Sequence, residues 1–494
     1  MKVTLKEGSQ RYSRAIRARI LTLTRSDLNE ALALAAYYGA FLHHNHIGIY
    51  ADPELEHDLT EALVPHVAPC HRWQQDRRGV LHLATEVYPW GGHTRVIERL
   101  VRCGLGDALA TVSPIPVPVR AALRDGCRSI EPLKGANEIE TVRRIVGVGE
   151  GYGAVILHIH PFDIASAVAA GILVRRGVRV LLYNHADHGF GFGFRSAEKV
   201  LELSKYGWEK APERQIEGRQ AYVGIPVESP AMPYGVIRRS QHILMSGWSP
   251  KFKPFKDINA AAFIETVVHR LDGAVRFDVV GPHGHEQPFR SLNRRAKRCV
   301  TFHGLLPHER FTQLLAECGA YVDSFPQGNG TGFVEALLSS APCFGLDLLA
   351  GCSLADTLRS HTLEDLIERV VAFLQGVLDA DRQFDEARSV VRAYQSPSAC
   401  VLRIEAVLKD GLCEKLPPEF EKTRCMTDFY ERYWEAAGKI TFVPRAAAPL
   451  STSSRLWLLA QASKGLAQTE VLEWGKLAWI CLTSAVPASR RNDL

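Results

Sequence analysis

Three stretches of this chain concentrate side chains able to do chemistry. The first is a loop. Tyr321 to Phe325 reads as a buried strand that runs into Pro326-Gln327-Gly328-Asn329-Gly330-Thr331-Gly332, and the FVEALLSSAP behind it has helical spacing up to Pro342. In a strand, glycine-rich loop and helix start, unpaired first-turn amides and the positive end of the helix dipole can hold an anion, phosphate above all. Thr331 adds a hydroxyl donor, and the alternate glycines let the backbone approach a ligand closely. A turn without a ligand is the plain alternative. Upstream, the strand Ile243 to Ser246 is followed by Lys251, Lys253 and Lys256. A lysine at a strand end can neutralise a diphosphate, and a solvated charge run is the competing reading.

The other two stretches are rich in histidine. The strand Val80 to Thr85 leads into Glu86-Val87-Tyr88-Pro89-Trp90-Gly91-Gly92-His93-Thr94-Arg95 and a helix, placing His93 at a loop–helix junction as a base, an anion donor or merely a cap. Leu157-His158-Ile159-His160 sets two imidazoles on one face of a strand, because side chains repeat every second residue. The next strand ends in Asn184-His185-Ala186-Asp187-His188, followed by glycines alternating with phenylalanines. An Asp187–His188 pair at a strand's carboxyl end suits proton abstraction, the carboxylate orienting the imidazole and balancing its charge. His158 and His160 read equally well as hydrogen-bonded core histidines. His43, His44 and His46 read as interface or surface residues.

Those residues need a frame. From Gly79 onward short β-like runs alternate with helical stretches over some 330 residues, which predicts parallel sheets of βαβ units. Gly224, Pro226, Pro230 and Pro233 crowd together and suit a linker. The expected organisation is a helical N-terminal extension (1–78), two Rossmann-like doubly wound α/β domains (79–235 and 236–410) and a helical C-terminal tail (411–494). Asp27 is placed to N-cap the extension's main helix, and a second helix is expected over Pro53 to Val64. Two such domains face each other across a cleft at their strands' carboxyl ends, where ligands of these folds bind.

Composition narrows the classes. The 494 residues are 46% hydrophobic and 23% charged, enough apolar content for a sizeable core and incompatible with wholesale disorder. A net charge of +5, with only a short basic cluster near Arg294, argues against a nucleic-acid binder. The 11 scattered cysteines form no CxxC pair and read as reduced thiols of a cytoplasmic protein. The N-terminus lacks a signal-peptide apolar region, and the apolar run Ala31 to Leu42 is well short of the ~20 residues that span a bilayer.

The run from Val275 to Leu346, with VRFDVVG and then VTFHGLLPHERFTQLLAECGAYVDSFPQGNGTGFVEALLSSAPCFG, resembles the nucleotide-sugar-binding half of GT-B glycosyltransferases. The GGHTR element resembles their first glycine-rich loop, and NHADH a motif of a bacterial branch. The resemblance implies a transfer of a hexosyl or N-acetylhexosaminyl group from a nucleotide sugar, UDP by family habit, to an acceptor glycan, lipid-linked sugar or protein. Many retaining members carry two glutamates eight positions apart; here Glu335 holds the second place and Gln327 the first, and the GNGT loop is closer to the inverting O-GlcNAc and cytosolic N-glycosyltransferases. The resemblance makes Asp187, His188, His93 and His185 the catalytic candidates. It assigns donor binding to Gly92, Lys251, Lys253, Gly328, Asn329, Gly330, Thr331, Gly332 and Glu335. No cofactor and no metal are expected, since helix dipole and lysine would neutralise the leaving diphosphate. Two alternatives stand beside it: a metal-dependent hydrolase using the HxH and HADH histidines, and a nucleotide-sugar-binding protein without turnover. Acceptor identity and self-association stay open.

Overall fold

The computed structural model describes residues 4–68, 77, 79–89, 92–123, 126–130, 132–229, 240–295, 298–348, 354–411, 415–422, 425–465 and 475. Twelve described strands form two parallel sheets. The first contains β1 (Val80–Ala84), β2 (Ala108–Thr111), β3 (Arg128–Ile130), β4 (Ala154–His158), β5 (Arg179–Tyr183), β6 (Lys199–Glu202) and β7 (Gln220–Tyr222), in the order β3-β2-β1-β4-β5-β6-β7. The second contains β8 (His242–Ser246), β9 (Arg276–Val280), β10 (Val300–Gly304), β11 (Ala320–Asp323) and β12 (Cys343–Phe344), ordered β10-β9-β8-β11-β12. Both are doubly wound, as the sequence predicts. The strand order reverses between β1 and β4 in one sheet and between β8 and β11 in the other, and such reversals open a crevice at the strands' carboxyl ends.

The central strands are apolar on both faces because helices cover both. Leu81, Leu83, Val155 and Leu157 pack with the N-terminal helices in one continuous core. Asp27 caps the helix Leu28–His44 by accepting from the Glu30 amide, as expected, and Asp52 caps Pro53–Leu63 by accepting from the Leu55 amide. The extension is part of the first domain's core and not a separate unit. Buried Glu56 accepts from the Gly193 and Ser196 amides at 2.8 and 2.6 Å, tying the extension to the glycine–phenylalanine loop after β5.

Two elements depart from the expected boundaries. The helix Pro397–Asp410, assigned by sequence to the second domain, lays Cys400, Val401, Ile404 and Val407 against Val96, Leu100 and Leu181 of the first. The tail, read as one helix and then little pattern, carries Phe429–Ala437 and also Thr452–Gly465; Trp434, Ile440, Leu450 and Leu458 complete the core of the N-terminal helices. The chain thus returns to its first domain after building its second. The linker prolines Pro230 and Pro233, the expected boundary at 235/236, and residues Trp90 and Gly91 lie outside the described residues. Among the described residues no helix is long and apolar enough to cross a membrane.

Candidate active site

Where the two sheets' carboxyl edges meet lies a cavity of about 320 Å3, lined from the first domain by Gly92, His93, His158, His160 and His185 and from the second by Thr331. Two helix starts converge there. A Cβ built on Gly92, the first residue of the helix Gly92–Arg102, would sit 3.8 Å from Thr331 Oγ1, and Thr331 begins the helix Thr331–Leu338. Two positive dipole ends facing one small cavity favour an anion there.

The glycine-rich loop is held from beneath. Fully buried Asp323, at the end of β11, pairs with Arg359 at 2.7 Å and accepts from the Asn329 amide at 2.9 Å. The Asn329 side chain donates to the Ser246 carbonyl at 2.6 Å, and Lys251 Nζ donates to Asn329 Oδ1 at 2.7 Å and to the Gly328 carbonyl at 3.0 Å. Gly328 is closely enclosed: an added Cβ would lie 3.0 Å from Asp323 and 3.2 Å from Arg359 and would press on their ion pair. The Asn329 amide therefore points inward, and the anion-facing part of the loop narrows to the start of the helix. The amides of Gly330, Thr331 and Gly332 have no hydrogen-bond partner among the described residues.

On the opposite wall the histidines follow the sheet's register. His82 faces the same side of the sheet as Ile156 and His158, since His82 pairs with Ile156 and Ala84 with His158. Leu157 pairs with Leu182, so Tyr183 lies beside His158 and His185 two residues further on. Each step from His82 to His158 to His185 thus crosses one strand and advances two residues toward the cavity. The rings connect: His82 Nδ1 to His158 Nε2 is 2.9 Å, and His158 Nδ1 to His185 Nε2 is 2.8 Å. At the far end His82 Nε2 meets the Leu105 carbonyl at 2.9 Å. Burial pushes His82 down to about 4 and holds His158 and His185 well below the usual imidazole value, neighbouring histidines adding to the effect on the last two. His93 is kept neutral mainly by burial, and its Nε2 donates to the Glu86 carbonyl at 2.7 Å. His160 lies 3.4 Å from Glu86 Oε1.

Set beside solved structures, the fold has clear counterparts. No protein-family model and no curated protein matches the sequence. Solved structures do match in shape. The lipopolysaccharide outer core galactosyltransferase WaaB superposes with a TM-score of 0.50 at 14% identity, over 67% of this chain and 99% of that one. An O-GlcNAc transferase variant of Thermobaculum terrenum gives 0.50 at 14%, over 86% and 83%. Anabaena HepE in complex with UDP gives 0.52 at 12%, over 67% and 99%. The chain has the GT-B fold.

Within this GT-B frame the sequence-predicted residues separate. His93 and His185 line the cavity with Gly92 and Thr331. Lys251 holds the loop, whereas exposed Lys253 turns to the Tyr433 ring, 5.9 Å from its centroid. Gly332 sits in the first helical turn beside the Tyr321 hydroxyl. Glu335, one turn further, accepts from Arg99 Nη2 at 2.6 Å across the domain junction. Asp187 and His188 lie outside the cavity lining. The Asp187 carboxylate accepts from Ser204, and its backbone carbonyl accepts from buried Arg214. Burial pushes this carboxyl up, but His188, Ser204 and Arg214 together pull it below its ordinary value. His188 instead packs its ring against His43, 5.6 Å away, and Tyr430, 4.9 Å away. The histidines do not converge as metal ligands, because both nitrogens of His158 are bonded to other imidazoles. Sequence reading missed His82, Arg99, Asp323 and Arg359, whose partners lie far away in the chain.

Proposed function

We propose that this protein is a glycosyltransferase that moves a hexosyl or N-acetylhexosaminyl group from a nucleotide sugar, UDP-linked in our reading, to a glycan, lipid-linked or protein acceptor with inversion. The observation that carries the reading is the meeting of two helix starts, with Thr331 and three free amides, opposite a wall of imidazoles. The diphosphate would lie against Gly330 to Gly332 with Lys251 beneath and Gly92 facing it. In the transfer, a lone pair on the acceptor oxygen or nitrogen forms the bond to the anomeric carbon. The bond from that carbon to the phosphate oxygen breaks, its electron pair leaving on the nucleoside diphosphate. The acceptor's proton passes to a cavity imidazole, His93 or His185. Asp187 and Arg214 hold the loop that carries His185. Charge compensation by helix starts and Lys251 supports a reaction that needs no metal. The UDP held by HepE and the galactosyl transfer named for WaaB support the donor class.

The test is a panel of nucleotide sugars scored for thermal stabilisation and slow donor hydrolysis, with and without chelator. Stabilisation and turnover by one UDP-sugar, unaffected by chelator and lost in Gly330→Trp, are expected. Unchanged UDP affinity in Gly330→Trp would remove the diphosphate site. Binding without any turnover would leave a nucleotide-sugar receptor, and chelator-sensitive hydrolysis without nucleotide would point to the hydrolase.

A further inference from the structure

The hydrogen bonds of the three-histidine row have only one consistent direction. A carbonyl oxygen can only accept, so His82 must carry its proton on Nε2, facing Leu105, and a neutral His82 then has a bare Nδ1. The contact at that nitrogen must be filled by an N–H on His158 Nε2, which leaves His158 Nδ1 bare. His185 must in turn donate from Nε2, and its own Nδ1 is left with a lone pair. That nitrogen has no hydrogen-bond partner among the described residues, and its ring lines the cavity. We propose that His82 and His158 are positioning residues which, through the Leu105 carbonyl, fix the tautomer of His185 and make its Nδ1 the atom that takes the acceptor proton. The inference rests on the transfer reading above and names the base within it.

A proton wire is the competing account of the same row. It would pass the positive charge from His185 inward to His158 and His82. Both inner rings are buried, with exposures of 1% and 0%, and an unpaired charge is disfavoured most where water is excluded. The proton therefore stays on His185, the most exposed of the three rings, whose Nε2–H keeps its acceptor on His158 in either charge state. The row works as an orienting partner does behind a catalytic base, with an imidazole in the carboxylate's place. The stacked Tyr183 ring, 4.8 Å from His185 at 24°, keeps the imidazole from turning over.

The test uses the full-length chain with histidine labelled in its ring nitrogens, its His185 tautomer read by long-range proton–nitrogen correlation at pH 8, with the signal assigned by a His185→Gln variant. Bare Nδ1 and protonated Nε2 on His185 are expected. An Nδ1–H form overturns the inference outright. Two substitutions at one position separate orientation from simple packing. His158→Asn keeps an acceptor oxygen near the Nδ1 position and should preserve the tautomer. His158→Gln places its amide near the Nε2 position and should release it. We expect kcat for transfer to fall about tenfold or more in His158→Gln with donor KM unchanged, and to be largely kept in His158→Asn. Equal losses in both, at equal thermal stability, would reduce His158 to packing. The tautomer reading is independent of activity: a fixed tautomer without any transfer would sink the function proposal alone, and transfer with a free tautomer would sink the orienting row alone.

Discussion

At the scale of the residue, position relative to the two helix starts separates side chains that look alike in the sequence. Lys251 and Lys253 are two residues apart and both were donor candidates. Only Lys251 reaches the glycine-rich loop, donating to Gly328 and Asn329, while exposed Lys253 lies over Tyr433. Removing a charge-assisted contact costs about 1.5–3 kcal/mol, or roughly 10–150-fold in affinity. Lys251→Met should therefore weaken UDP binding by that factor, and Lys253→Met should leave it within about twofold. Titration calorimetry with UDP decides between them; equal losses in the two variants would show that the loop does not read the phosphate through Lys251. Thr331 belongs to the same comparison. Its hydroxyl lies at the junction of both domains, so Thr331→Val should raise donor KM while thermal stability stays within the surface-mutation range of ±0.5 kcal/mol.

At the scale of the element, the domains are joined at the cavity by a contact that no local pattern announces. Arg99, 5% exposed on the helix Gly92–Arg102, donates to Glu335 Oε1 at 2.6 Å and to the Pro226 carbonyl at 2.9 Å. The partners are 236 residues apart, so this pair was invisible in the sequence, where Glu335 read only as a donor ligand. Arg99→Met should destabilise the protein by about 1–3 kcal/mol, and adding Glu335→Gln should cost less than the sum, because each single change strands the other partner. A double-mutant cycle by urea unfolding that proves additive would rule the coupling out. The same logic explains which elements were legible. VLHLA, AVILH and RVLLY, buried on both faces, announce themselves as continuous apolar runs. β3 and β7 have three residues each, β12 has two, and β6 begins with Lys199 and ends with Glu202, so none carries a period long enough to recognise. The glycine-rich loop was legible because its chemistry is local. The histidine row was half legible: the sequence offered His158 and His185, but β4 ends at His158 and leaves His160 beyond the strand, and the link to His82 depends on the register of two strands 76 residues apart.

At the scale of the whole molecule, imidazoles occupy both the cavity wall and the seam where the chain's two ends meet. His43, in the last turn of the helix Leu28–His44, and His46, just past its cap, pack against His188 from the loop after β5, and His46 also against Tyr430 of the helix Phe429–Ala437. Burial holds His43 well below the usual value and His46 at about 3, and neighbouring histidines deepen both shifts. His82 and His158 are held down in the same way within the sheet. The sign follows from proton counting. Below pH 6.5 the unfolded chain protonates these four groups and the folded chain does not, so stability is fully present above that pH and falls as the solution is acidified. Buried Glu202, raised by burial to about 7 despite Arg214, works in the opposite direction, gaining stability as pH drops toward 4.5. Each group contributes up to about 1.4 kcal/mol per pH unit, and His44, His93 and His185, also lowered chiefly by burial, add to the same fall. We expect the thermal midpoint to be nearly flat from pH 8 to 7 and to fall steeply between 6 and 5. Because protonating a ring at the seam buries an unpaired charge against the helix Phe429–Ala437, that helix should detach before the sheets melt, visible as early hydrogen exchange at the intrahelically bonded amides of Tyr433 and Trp434. His46→Leu should shift the steep segment to lower pH. A midpoint that stays level down to pH 5, or exchange that begins in β4 and β5, would show that these imidazoles already carry charge in the folded protein.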